Sequence, residues 1–383
     1  MEKATKNKGF MLSDIKKLIF VVLFFCILII PSIQMIKPIV EVGEVESFDE
    51  KRKLATWKDV DTKSADSFIA TYERYYKDNF GFRDLFISLN NRWKVQQFKV
   101  SPIETVLIGS EGWYFITIKN SVEDHTGKIK MKEEDLHSIR ENLEYKRDYI
   151  ESRGGKFYLV VLPDKMSVYS RYLPYLNQGE NPTRFDQILK YCDGSGVEIV
   201  DMRAELQARS ERELVYQKTD SHWNKNGGFV GYQVIMERLK KDCPKLNAYS
   251  RDQFNTAKEG TRTGDLTTIV GVAAYEENVR FFYETKPNVY RGKVELLEKF
   301  QDYNVSYKAT FSFLNPTLQE PKLMVINDSY INYVYPFLGN HFSESHYFWS
   351  HDFREELVDE IDPDIFIQLI VERSLPDIVA LDK

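Results

Sequence analysis

Residues 322–330 read Lys322-Leu323-Met324-Val325-Ile326-Asn327-Asp328-Ser329-Tyr330, an apolar run that turns abruptly polar. Leu323 to Ile326 suits a short strand buried on both faces. The Asn-Asp-Ser that follows reads as a strand-to-helix turn, with a helix predicted as far as Pro336. A serine at such a turn exposes its hydroxyl, and its own N–H at the helix start can donate to an oxyanion. The same residue types also serve as plain helix caps.

Further segments of the same kind lie on both sides of this strand. Phe157–Leu162 is a continuous apolar run closed by Pro163. Val197–Val200 is a second strand candidate, interrupted only by Glu198 and followed by Asp201 and a helix to about Arg212; Ile365–Val371 is another, after Asp362-Pro363-Asp364. Glu133–Ser152 is a charged amphipathic helix that stops at Gly154-Gly155. Asn226–Lys241 is a helix with Phe229, Tyr232, Ile235, Met236 and Leu239 on its apolar face. Buried strands alternating with helices predict an α/β fold, a mostly parallel sheet flanked by helices. From Ser64 to about Phe98, aromatic and apolar residues recur at spacings of three and four, predicting two helices broken at Gly81. Val106–Phe115 predicts two short strands about a glycine-containing turn.

The N-terminus bears on compartment. Leu18–Ile36 is largely apolar, and 19 residues of helix at ~1.5 Å each approach the ~30 Å hydrocarbon core. Lys3, Lys6, Lys8, Lys16 and Lys17 precede it; Glu41, Glu44, Glu46, Asp49 and Glu50 follow. The positive-inside rule then gives a cytoplasmic tail at 1–17, a signal anchor at 18–36, an acidic stalk at 37–63 and an extracytoplasmic domain at 64–383. A cleaved signal peptide is the competing reading, but the run is long for one and no small-x-small cleavage site follows.

The net charge of −6 carries no basic nucleic-acid footprint. The three cysteines, Cys26, Cys192 and Cys243, form no Cys-x-x-Cys, which excludes a zinc ribbon and leaves Cys192 with Cys243 as the one disulfide to consider. The 23 Tyr and 25 Phe suit core packing and a membrane-proximal surface, or else sugar stacking.

The second chemical segment is Lys218-Thr219-Asp220-Ser221-His222-Trp223, just ahead of the 226–241 helix. In an extended chain residues i and i+2 share a side, so Asp220 can hold the His222 imidazole in one tautomer. A capped surface turn is the bland alternative. The two segments complement each other: Ser329 needs a base, and His222 needs a nucleophile. His341, His346 and His351 recur every five residues, a poor metal spacing, and with His125 and His137 they read as solvated or interface histidines. No metal and no cofactor is called for.

At these residues the chain resembles the SGNH-hydrolase-like O-acetyltransferases of exopolysaccharide modification, of the alginate O-acetyltransferase type. Thr219-Asp220-Ser221-His222-Trp223 is similar to that family's Thr-Asp-x-His-Trp signature, and Asn327-Asp328-Ser329-Tyr330 to its Gly-Asp-Ser-Phe segment. Residues 75–83, Val106–Trp113, Leu162–Lys165 with Tyr169, Gly264-Asp265-Leu266, and Pro363-Asp364 with Glu372-Arg373 match in order along the chain. Asp-x-His precedes the serine, the reverse of ordinary SGNH esterases, so the motif order is circularly permuted. The resemblance implies Ser329 as nucleophile, His222 as general base and Asp220 as orienting acid. Tyr335, Arg262 and Lys165 are the candidates for substrate or oxyanion contacts. Asn327 departs from the family's glycine. The implied function is a membrane-anchored O-acetyltransferase with a polysaccharide acceptor and a membrane-bound O-acyltransferase as acetyl donor. An acetyl esterase with the same triad, or a non-catalytic glycan-binding subunit, are the alternatives.

Overall fold

The computed structural model describes residues 2–38, 53–173, 176, 179–272, 274–283, 311–319 and 321–379. They group into two units, residues 1–102 with 268–273, and residues 103–267 with 274–383.

In the first unit α1 runs over Glu2–Ile36, and its stretch from Ile15 to Ile36 is apolar and long enough to cross a bilayer. Most of the stalk expected at 37–63 lies outside the described residues. α2 (Ala65–Asn79) begins at a capping box on Ser64 and Ser67. The break expected at Gly81 is present, and α3 follows as Arg83–Trp93. A β-carbon at Gly81 would come within 2.1 Å of the Pro31 carbonyl oxygen, so glycine permits the close approach to α1. Asp78 Oδ2 accepts from the Ala55 N–H at 2.8 Å, fixing the chain that enters α2.

The second unit opens with a hairpin of β1 (Val106–Ile108) and β2 (Tyr114–Ile116). Its centre is a sheet built from β3 (Lys156–Leu162), β4 (Glu198–Asp201), β7 (Phe311–Leu314), β8 (Lys322–Asn327), β9 (Glu344–Trp349) and β10 (Ile365–Val371). The order is β4-β3-β10-β8-β9-β7, with five parallel strands and β7 antiparallel at the edge. Alternate residues go to opposite faces. Tyr158, Val160, Leu162, Leu323, Val325, Ile367 and Leu369 join a core beneath the helix Lys225–Asp242. Phe157, Leu159, Val161, Met324, Ile326, Phe366 and Ile370 join a second core under the helix Glu133–Glu151. Both faces are therefore covered, as near-continuous apolar strands require.

A separate ribbon, β5 (Phe254–Thr263) with β6 (Tyr275–Tyr283), was not visible in the sequence pattern. All three cysteines are free, and Cys192 and Cys243 pack against different cores.

Candidate active site

Ser329 lies just past the carboxyl end of β8, where reactive groups of open α/β sheets collect. The helix expected here is a short 3₁₀ segment, Ser329–Tyr333. Asp328 caps it: Oδ1 accepts from the Tyr330 N–H at 2.9 Å, and Oδ2 from the Val371 N–H at 2.9 Å. Asp328 thus ties the turn to the end of β10. Ser329 is the first residue of this segment, where its N–H has no carbonyl of its own helix to meet. Asn327 ends β8 in extended backbone that any residue adopts, so glycine is not required there. Its amide is fully buried; Nδ2 donates to the Asp328 carbonyl at 3.2 Å, and Oδ1 meets no partner among the described residues.

The loop carrying Asp220 and His222 is closed by a bridge between Tyr216 and Trp223. The Asp–His link is an Asx-type turn, where an extended segment was expected. Asp220 Oδ1 accepts both the His222 N–H at 3.0 Å and Nδ1 at 2.7 Å. His222 Nε2 then lies 2.6 Å from Ser329 Oγ. Asp220 is buried, while His222 and Ser329 are partly exposed. Two further bonds lace the loop to the serine segment. Trp223 Nε1 donates to the Tyr330 carbonyl at 3.0 Å, and Tyr330 Oη donates to the Ser221 carbonyl at 2.7 Å.

Burial alone would raise the Asp220 pKa. The His222 side chain and N–H, with the Arg262 charge, outweigh it and hold the carboxyl down to about 2. An ionised Asp220 can only accept, so Nδ1 is the donor in the bond to Asp220, and Nε2 faces Ser329 Oγ.

Arg262, on β5, contacts Asp220 and Tyr333. Its Nη2 donates to Asp220 Oδ2 at 2.6 Å and its Nη1 to Tyr333 Oη at 3.0 Å. Lys165 differs more from expectation. Its side chain is buried, and Nζ donates to the carbonyls of Tyr114, Gln217 and Lys218 at 2.6, 2.7 and 3.2 Å. It braces the start of the loop from inside. Burial pushes its pKa down to about 7, against the pull of Asp220, Glu276 and Asp265. Tyr335 packs its ring against Phe311, Phe313 and Tyr347, away from the role expected of it. Its neighbour Tyr333, four residues after Ser329, is the tyrosine that joins the network.

Two carboxylates went unnoticed as loop supports. Asp265 accepts the Ser221 N–H at 2.7 Å and the Ser221 hydroxyl at 2.6 Å, and its Oδ2 lies 3.8 Å from His222 Nδ1. Glu276 accepts the N–H groups of Lys218 and Thr219 and the Thr219 hydroxyl. The Gly264-Asp265-Leu266 motif signalled Asp265. Gly264 is needed for close approach, since a β-carbon would lie 2.1 Å from the Thr219 backbone. Nothing in the sequence signalled Glu276.

Asp220, His222 and Asp265 bring three potential metal-ligand atoms together. Each is already engaged, Asp220 by Arg262 and His222, and Asp265 by Ser221. His137 is exposed, as expected of a solvated histidine, but His346 and His341 are not. His346 is buried, with Nδ1 2.8 Å from Ser312 Oγ. His341 Nε2 bonds Tyr232 Oη at 2.6 Å, and burial lowers its pKa to about 4.

Comparison with known proteins adds three findings. The profile of the family described as "SGNH hydrolase-like domain, acetyltransferase AlgX" matches residues 106–306, just over half of the chain. "Probable alginate O-acetylase AlgJ" of Pseudomonas syringae pv. tomato is 23% identical over 206 residues, 52% of this chain and 49% of that protein. The chain therefore spans about half the length of the curated relatives it matches. Among solved structures, Bacillus cereus PatB1 with a sulfonyl adduct is similar at TM-score 0.54 and 16% identity, over 73% of this chain and 98% of that one. A DHHW family protein of Eubacterium siraeum is similar at TM-score 0.51 and 15% identity, over 73% and 98%. These two structural likenesses establish a shared fold.

Proposed function

We propose that this chain, which belongs to the AlgX-type family of SGNH hydrolase-like acetyltransferases, transfers acetyl groups to hydroxyls of an extracytoplasmic polysaccharide. Ser329 is the nucleophile, His222 the general base and Asp220 the acid that orients it. The observation that most supports this reading is the continuous relay from Ser329 Oγ to His222 Nε2 at 2.6 Å and from His222 Nδ1 to Asp220 Oδ1 at 2.7 Å.

The relay dictates the steps. His222 Nε2 takes the Ser329 proton as Oγ bonds to the acetyl carbonyl carbon of the donor. The oxyanion that forms meets the Ser329 N–H at the start of its 3₁₀ segment. Collapse expels the donor's leaving group, which takes the proton from His222 and leaves an acetyl ester on Ser329. A glycan hydroxyl then gives its proton to His222 and attacks that ester. Collapse returns Oγ, reprotonated by the same Nε2. Asp220 stays ionised throughout and stabilises the imidazolium that forms twice per cycle.

The apolar stretch of α1 anchors the chain with this domain on the extracytoplasmic side. The donor must then be supplied there, a task suited to a multi-pass membrane-bound O-acyltransferase. The relatives named alginate O-acetylase point to a polysaccharide as acceptor. The test is to follow acetyl from an activated ester with and without a soluble glycan. Ester bonds formed on the glycan support transfer; release to water alone, unchanged by glycan, makes the protein an esterase.

A further inference from the structure

α3 (Arg83–Trp93) wears its apolar side outward. Phe86, Leu89 and Trp93 follow at spacings of three and four, which sets them on one stripe of the helix. All three are exposed, Trp93 at 57%. Phe98 continues the exposure one turn further, and its ring meets Trp93 edge-on at 4.9 Å. The opposite side of the helix is the packed one: Asn91 is buried and its Nδ2 donates to the Val270 carbonyl at 2.8 Å. A water-facing helix would place its apolar stripe on that buried side.

The position of the stripe says what covers it. The elbow before α3 is pressed onto the last turns of α1, where Gly81 meets the Pro31 carbonyl and Tyr76 Oη lies 3.3 Å from Ser32 Oγ. Pro31 and Ser32 fall in the final part of the apolar stretch, which ends at Ile36. α3 therefore starts where that stretch leaves the hydrocarbon. Exposed aromatic rings belong at that depth, at headgroup level. Arg92 and Lys99, both exposed, flank the stripe with the charge that anionic headgroups attract.

We infer that α3 is an interfacial helix that lays Phe86, Leu89, Trp93 and Phe98 into the outer headgroup region of the bilayer. This rests on the reading of α1 as a membrane span. It gives the first unit two attachments to one membrane, a span and a surface helix.

The test uses the full chain reconstituted in phosphatidylcholine–phosphatidylglycerol vesicles carrying lipids brominated either near the headgroup or near the chain end. Shallow bromines should quench tryptophan fluorescence more strongly than deep ones, and W93F should lose most of that difference. Equal quenching in wild type and W93F, or none in either, overturns the inference; absence of quenching would assign the stripe to a protein partner. Co-flotation of chain with vesicles, resistant to alkaline carbonate, reads the span separately. A chain that floats with Trp93 unquenched contradicts the interfacial helix alone, whereas a chain that carbonate strips off contradicts the anchor.

Discussion

Arg262 Nη2 donates to the oxygen of Asp220 that faces away from His222, at 2.6 Å, so the acid of the relay is held from both sides. One side is the loop that carries the histidine; the other is the exposed β5–β6 ribbon. The ribbon therefore helps to set the charge state and direction of Asp220.

Removing that second partner should show in pH dependence. The Asp220 pKa is lowered from 3.8 to about 2, so it contributes stability above pH 3.8 that is lost as pH falls towards 2. R262A removes one of the causes and raises the folded-state pKa. The acid unfolding midpoint should then move to higher pH, read by circular dichroism, whereas R262K should restore most of it.

Asp220→Asn keeps the shape but offers an amide where Nδ1–H needs an acceptor, which favours the wrong tautomer. Acetyl transfer should fall about 10³–10⁴-fold, with a thermal midpoint close to wild type. Asp265→Asn acts through Ser221 and through the 3.8 Å approach of Oδ2 to His222 Nδ1, and should cost far less, about 10–100-fold.

Lys165 tests the interior brace. Its pKa falls from 10.5 to about 7 on folding, so the unfolded chain binds more protons between those values. Wild type should therefore gain stability relative to K165M as pH rises from about 7 towards 10.5. Denaturant melts of both chains across that range check the sign.

Asn327→Gly swaps in the family residue. It removes a buried carbonyl oxygen without a partner among the described residues, worth about 1–3 kcal/mol, and loosens a strand end by about 0.5–1 kcal/mol. The net change in stability should stay near 1 kcal/mol, and transfer activity should persist, as thermal melts and the glycan assay would report.

Much of this was legible in sequence where burial leaves a continuous apolar run. Ile365–Val371 was read to the residue, and Leu323–Ile326 to within one residue at each end. The β5–β6 ribbon was not, because residues such as Lys258, Glu259 and Arg262 face solvent and carry no apolar alternation. His346 looked solvated beside Glu344, yet pairing of β9 between β7 and β8 buries it. Lys165 and Tyr335 stand near the motifs in sequence, but distances across the fold decide whether a side chain reaches the substrate, a backbone carbonyl or another ring. The Asp220–His222 link was anticipated, though through an extended chain and not the Asx turn that makes it.

The central claim is that Ser329 carries the acetyl group. Intact-protein mass after brief incubation with an activated acetyl ester tests it most directly. A single acetyl adduct should form on the wild-type chain, map to Ser329, disappear in S329A and form far more slowly in H222A. An adduct that persists undiminished in S329A, or one that maps elsewhere while glycan acetylation continues, would contradict the account.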